Sequence, residues 1–297
     1  EQKDKSGIYM TSTELKEGTQ EKGGANKENK VRKDKTFHFI SGLPRAGSTL
    51  LANILSQNPR FSASHTSGIL DVLFATRNNW DKLIEFKAHP DETAKLRVLR
   101  SILGGYYSNI EEEVVFDKSR GWLSQLGMAE SILGRKAKVL VPVRDIRDVL
   151  ASFEKLWRQT SETKQVVQEQ EHYFQFQTVQ GRCEVWLRPE QPVGLAYNRL
   201  KDAINRGYSD RMYLIDFNDL TNSPKRVMDS IYKFLGEEPF EHNFDHVEQV
   251  TWEDDSMHGF ENLHTIRPKV EPMPEQWPKV LGKGAEQYGK LNFWKKS

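Results

Sequence analysis

Four short apolar runs stand out along a polar chain: residues 36–41, 114–117, 137–143 and 212–217. Each is short, carries Val, Ile, Leu or Phe, and reads as a strand covered on both faces. Helical periodicity fills the stretches between them. Leu50, Leu51, Ile54 and Leu55 form a stripe directly after the first strand and its loop. Asp91 is placed to cap a helix running to about Tyr107, with Leu96, Leu99, Ile102 and Leu103 along it. Residues 123–133, 147–157 and 224–235 read as further helices, the last opened by Pro224 and stopped by Gly236. Strands alternating with helices predict an α/β fold with a central parallel sheet flanked by helices. The Gln/Glu-rich stretch 161–186 predicts a surface helix or a pair of them. After Glu241 the pattern turns irregular, with Trp252, His258, Phe260 and Trp277 among prolines. That predicts a loop-rich C-terminal segment packed over the sheet edge.

Composition changes this picture at the N-terminus. Residues 1–35 are Lys, Glu, Gly, Asn and Gln with hardly a large apolar side chain. Such a segment cannot bury enough surface to offset chain entropy, so a flexible polar tail is expected ahead of one α/β domain over 36–297. The 43 Lys and Arg against 42 Asp and Glu leave a net charge of +1, which gives no whole-molecule attraction to nucleic acid. Cys183 is the single cysteine, which excludes an internal disulfide and a cysteine zinc cluster and favours a reducing compartment. No apolar run has the length of a membrane span and no signal-peptide h-region is present, so a cytoplasmic protein is expected.

The candidate chemistry begins where the first strand meets its helix. Gly42 and Gly47 bracket Leu43-Pro44-Arg45-Ala46 and lead into Ser48-Thr49. A glycine-bounded loop between strand and helix turns backbone N–H groups and the helix dipole toward one point, which suits a phosphate. The spacing is that of a P-loop, yet Ser48 stands where the P-loop lysine would be and the cation is Arg45. Such a loop binds phosphate but is poorly built to transfer the γ-phosphate of ATP. A second anion site follows the third run. Arg144 ends the strand and Ser152 lies eight residues on, two turns into the next helix.

Together, Pro44-Arg-Ala-Gly-Ser-Thr49 and the Arg144/Ser152 pair resemble the sulfotransferases that use 3′-phosphoadenosine 5′-phosphosulfate (PAPS) and release PAP. The resemblance covers about residues 36–240 and looks closer to branches with Arg in the loop. It implies a P-loop, sulfotransferase-like α/β fold and transfer of a sulfuryl group to a hydroxyl or amine. It implies that Pro44, Arg45, Ala46, Gly47, Ser48 and Thr49 surround the 5′-phosphosulfate, and that Arg144 and Ser152 hold the 3′-phosphate. Phe217 stands where the family often has an adenine-contacting tyrosine, so stacking survives and a hydroxyl contact does not. Leu50 stands where some relatives have a tryptophan against adenine. Arg267 and Lys269, in a late donor-rich stretch, are further 3′-phosphate candidates. No metal is required, because fixed cations can serve the leaving group.

A base near the acceptor has two candidates. Asp117-Lys118-Ser119 resembles the Glu-Lys-Ser/Thr segment of glycosaminoglycan sulfotransferases, with Asp117 as base and Lys118 beside the sulfuryl group. Asp117 and Lys118 point to opposite sides if the strand continues. His65, in the loop 63–68, lies where tyrosylprotein sulfotransferases carry a catalytic Glu, and an imidazole accepts a proton at neutral pH. His264 and the stretch 252–258 are candidates for lining the acceptor pocket. A small-molecule acceptor is expected. The rival readings are an ATP-dependent P-loop kinase and a non-catalytic nucleotide-binding protein.

Overall fold

A computed structural model describes residues 35–163 and 166–295. The expected polar tail falls on residues outside these, Lys35 excepted. The strands are β1 (Thr36–Ile40), β2 (Phe61–Thr66), β3 (Val114–Lys118), β4 (Val139–Val143) and β5 (Met212–Asp216). They form one sheet in the order β2-β3-β1-β4-β5, with every pair parallel. Alternation along each strand explains why both faces are covered. Phe37, Phe39, Val115, Val139, Val141 and Val143 join one apolar core, while Ile40, Val114, Phe116, Leu140 and Ile215 join the other.

Helices α1 (Ser48–Leu55), α2 (Ile69–Trp80), α3 (Ile84–Ala88), α4 (Glu92–Tyr106) and α5 (Leu126–Leu133) occupy the first half. The second half holds α6 (Ile146–Ser161), α7 (Val167–Glu171), α8 (Tyr173–Phe176), α9 (Val179–Trp186) and α10 (Pro192–Asn205). Then come α11 (Phe217–Asn222), α12 (Pro224–Leu235) and α13 (Trp277–Leu281). Asp91 caps α4 as expected, accepting from Ala94 N at 2.7 Å. Helix α12 has the predicted limits, with Pro224 in its first turn and Gly236 left-handed at φ 69°. Among the described residues no helix is long and apolar enough to cross a membrane.

Three expectations change. Strand β2 occupies a segment read as a loop, because an edge strand needs few apolar residues and only Phe61 and Ala63 supply them. The stretch 161–186 is not a surface helix: α9 buries Gly181, Arg182, Cys183, Val185 and Trp186. Its polarity misleads because Arg182 enters the core paired to Glu154 at 2.7 Å. The C-terminal segment is irregular but does not pack over the sheet edge. Backbone bonds Val247 N to Pro268 O (2.6 Å) and Val270 N to Phe244 O (2.8 Å) close a long loop at its base. That loop lies over α1 and the carboxyl end of the sheet, and its Glu253 reaches the edge strand at its end, Thr66.

Candidate active site

The loop after β1 is shaped by two glycines for different reasons. A Cβ on Gly42 would stand 2.2 Å from Pro142 O, so the loop can pass β4 only without a side chain. Gly47 is left-handed at φ 87°, and a Cβ there would also strike Phe217. Arg45 is left-handed as well, at φ 58°, a conformation unusual for a long side chain. Gly47 caps α1 without a side-chain hydrogen bond, so the first-turn N–H groups are left for an anion.

Side chains from distant elements converge above this loop. Arg144, at the end of β4, donates Nη1 to Arg45 O at 3.2 Å and lays its guanidinium over the Phe217 ring, 4.4 Å from the centroid. Its Nε is buried without a partner. Arg45 donates Nε to Ser152 Oγ on α6 at 2.9 Å, and Nη1 to Leu263 O. Burial, with Arg144 beside it, brings the Arg45 pKa down to about 10.

Asp117 and Lys118 go to opposite sides of β3. Asp117 is fully buried and accepts from Ser67 Oγ (2.5 Å), Trp122 Nε1 (2.5 Å) and Tyr107 OH. It ties the ends of β2 and α4 to β3 and does not line the cleft, so the expected acceptor-facing carboxylate is not there. Burial raises its pKa against these three donors. Lys118 does line the cleft. Ser64 Oγ holds its backbone N–H at 2.9 Å, where the β2–β3 register shifts. Its Nζ reaches Glu253 Oε1 at 2.9 Å and Thr49 Oγ1 at 3.4 Å. His65 is exposed on β2, outside the cleft lining.

The loop 247–268 brings groups that sequence reasoning assigned no catalytic part. Asn53 of α1 tethers it, taking Val250 N (2.6 Å) and Thr251 N (3.1 Å) on Oδ1 and giving Nδ2 to Thr49 O and Thr251 Oγ1. Glu253 Oε1 accepts from Thr66 N and Oγ1 besides Lys118. Burial pushes the Glu253 pKa up, but Lys118 and these donors outweigh it and hold it at about 2. Its Oε2 stands 3.4 Å from His258 Nε2 and 3.5 Å from His264 Nδ1. His264 Nδ1 is closest to Asp255 Oδ1, at 2.6 Å, and its N–H bonds Asp255 Oδ2. Burial lowers the His264 pKa below its ordinary 6.5, with Asp255 opposing. Glu253, His258 and His264 have metal-binding donor atoms within 4.8 Å of one another, yet Lys118, Thr66 and Asp255 already engage this cluster.

These elements enclose a cleft of about 350 Å³, a size in the range of small-molecule sites. Of the residues expected to bind the donor nucleotide, Pro44, Arg45, Gly47, Ser48, Thr49, Arg144, Ser152 and Phe217 line it, and Ala46 is buried behind the loop. Leu50 lines it too. Arg267 and Lys269 lie on its lip, both exposed and paired with Glu271 and Asp245. His264 lines it, while Trp252 is 71% exposed and faces away from the core. The sequence signal for His264 was its place in the donor-rich stretch 263–269. Arg120, also in the lining, and Glu253, paired with Lys118 beside it, carried no motif.

Comparison with known proteins agrees with this geometry. The sulfotransferase family matches residues 38–242. In fold, the chain is similar to the sulfotransferase domain of the Synechococcus PCC 7002 olefin synthase. That domain is 17% identical with a TM-score of 0.52, and the match covers 91% of this chain and 98% of that one. It is also similar to the sulfotransferase domain from the curacin biosynthetic pathway, 16% identical with a TM-score of 0.50, over 88% and 98%. No curated protein sequence matches the chain.

Proposed function

The chain belongs to the sulfotransferase family, and from that premise we propose that it moves the sulfuryl group of PAPS to a hydroxyl or amine of a small-molecule acceptor. The observation that carries this is the meeting of two motifs about 100 residues apart in one cleft: Arg144 bonds Arg45 O, and Arg45 bonds Ser152. A P-loop with a second cation site alongside fits a nucleotide carrying phosphates at both ends of its ribose. The Arg144 guanidinium, in the cleft wall, is a donor suited to the 3′-phosphate. Phe217, under the Arg144 guanidinium, offers a ring face to adenine.

PAPS supplies an activated sulfuryl group on a phosphate leaving group. The acceptor oxygen forms the new S–O bond as the bridging S–O bond breaks and PAP departs with the electron pair. Arg45, Lys118 and the α1 N–H groups neutralise the charge that builds on the leaving phosphate. His264 is the base in this reading, because Asp255 fixes Nδ1 and leaves Nε2 to take the acceptor proton. Asp117, buried in the core, and His65 are both outside the cleft lining, which favours His264 over either as the base.

Binding of PAP, measured by calorimetry beside ATP with Mg²⁺, tests the donor. PAP should bind and ATP should not compete, and ³⁵S should pass from PAPS to a hydroxyl acceptor. Arg45→Ala should cut that transfer about 10²–10³-fold. Binding of ATP with Mg²⁺ in preference to PAP would favour the kinase reading. Tight PAP binding without transfer to any acceptor would favour a nucleotide-binding protein.

A further inference from the structure

Arg120 is the one cleft-lining cation whose guanidinium has no hydrogen bond or ion pair among the described residues. The others are engaged: Arg45 by Ser152, Lys118 by Glu253, Arg144 by Arg45 O, Lys155 by Gln276, Arg267 by Glu271 and Lys269 by Asp245. Arg120 is partly buried just past the end of β3, and none of its nitrogens is sealed off by protein. A guanidinium drawn out of bulk water without a counter-charge is costly, and an anion from outside would relieve that cost.

Its surroundings add positive charge. Burial lowers the Arg120 pKa, Arg199 of α10 lowers it further, and Glu253 opposes both. Glu253, however, already serves Lys118 and Thr66. Arg199 has Asp71 as its own acidic neighbour, and Asp71 is exposed on α2. Asp255 is taken by His264. With Glu253 engaged by Lys118 and Thr66, and Asp255 by His264, no acid in this wall pairs with Arg120 among the described residues.

The donor's groups are supplied without Arg120. The 5′ end has Arg45, Lys118 and the α1 loop, and the 3′ end has Arg144 and Ser152. Arg120 shares Glu253 as acidic neighbour with Lys118, and His264 Nδ1 stands 3.5 Å from Glu253 Oε2, so Arg120 and His264 face the same end of the cleft. We propose that Arg120, backed by Arg199, binds a carboxylate on the acceptor, so that the acceptor is a hydroxylated carboxylic acid whose hydroxyl is presented to His264. One unpaired guanidinium matches one carboxylate, and its paired N–H groups suit that planar anion. This rests on the sulfotransferase reading, because it takes the remaining cleft cations as the donor's.

The test uses the full chain and three probe acids of different length, 4-hydroxybenzoate, 3-hydroxydecanoate and 12-hydroxydodecanoate, each beside its methyl ester. PAP affinity is measured first and alone. At least one acid should bind the PAP-loaded protein about tenfold more tightly than its ester. Arg120→Gln should abolish that preference and leave PAP affinity within twofold, and Arg199→Gln, which keeps Arg120, should reduce it. Equal binding of every acid and ester overturns the proposal. So does a tenfold loss of PAP affinity in Arg120→Gln, which would assign Arg120 to the donor. Failure of PAP to bind counts against the donor reading instead. The acid–ester comparison is then made on the protein without PAP, where it upholds or overturns the carboxylate site by the same criterion.

Discussion

At the scale of single residues, the chemistry depends on which charged groups are already engaged. Asp117 and His264 show this from opposite directions. Asp117 sits in the motif that suggested a base, but three donors consume it in the core. Asp117→Asn would turn an amide N–H toward Ser67, Tyr107 or Trp122. It should cost about 2–4 kcal/mol of stability while leaving PAP affinity nearly unchanged. Thermal unfolding and calorimetry check this; a stable variant with abolished turnover would restore Asp117 as the base. His264 has the reverse character, with one ring nitrogen fixed by Asp255 and its place in the cleft wall. Burial disfavours the imidazolium, so the pKa lies below 6.5 and the neutral base already predominates at pH 7. kcat/KM should therefore be flat near neutrality and fall as pH drops through that lowered pKa. His264→Gln should remove this acid limb and lower kcat about 10²–10⁴-fold. An unchanged acid limb in the variant would assign the titration to another group.

At the scale of elements, Asn53 links α1 to the loop 247–268. Three hydrogen bonds hold Val250 and Thr251 against the first helix, and so hold Glu253 within reach of Lys118. Asn53→Ala should loosen that loop by about 2 kcal/mol, or about thirtyfold in the exchange rate of the 250 and 251 amides. Hydrogen exchange reads this directly, and the Lys118–Glu253 pair should weaken with it. Unchanged exchange would mean the loop is held by its base, Val247–Pro268 and Val270–Phe244, alone. Elements also differ in how legible they were. Helix α12 was readable to the residue because Pro224 and Gly236 mark its ends chemically. Strand β2 was not, because an edge strand with polar Ser62, Ser64, His65 and Thr66 spells the same pattern as a loop.

At the scale of the whole molecule, the cleft lies where strand order reverses. β1 is central, with β3 on one side and β4 on the other, so the loop after β1 opens between them. This arrangement brings Lys118 from β3 and Arg144 from β4 to flank the same loop. By itself the sequence determined the parallel sheet, the glycine-bounded loop after β1 and the Arg144/Ser152 pair, because each is encoded in local periodicity or fixed spacing within one strand–helix unit. Only the tertiary structure decided that Asp117 is a core anchor, that Glu253 and His264 join the site, and that Arg120 is left without a counter-charge. Those outcomes turn on which groups are brought together across more than 100 residues, as with Lys118 and Glu253, and no local pattern records that.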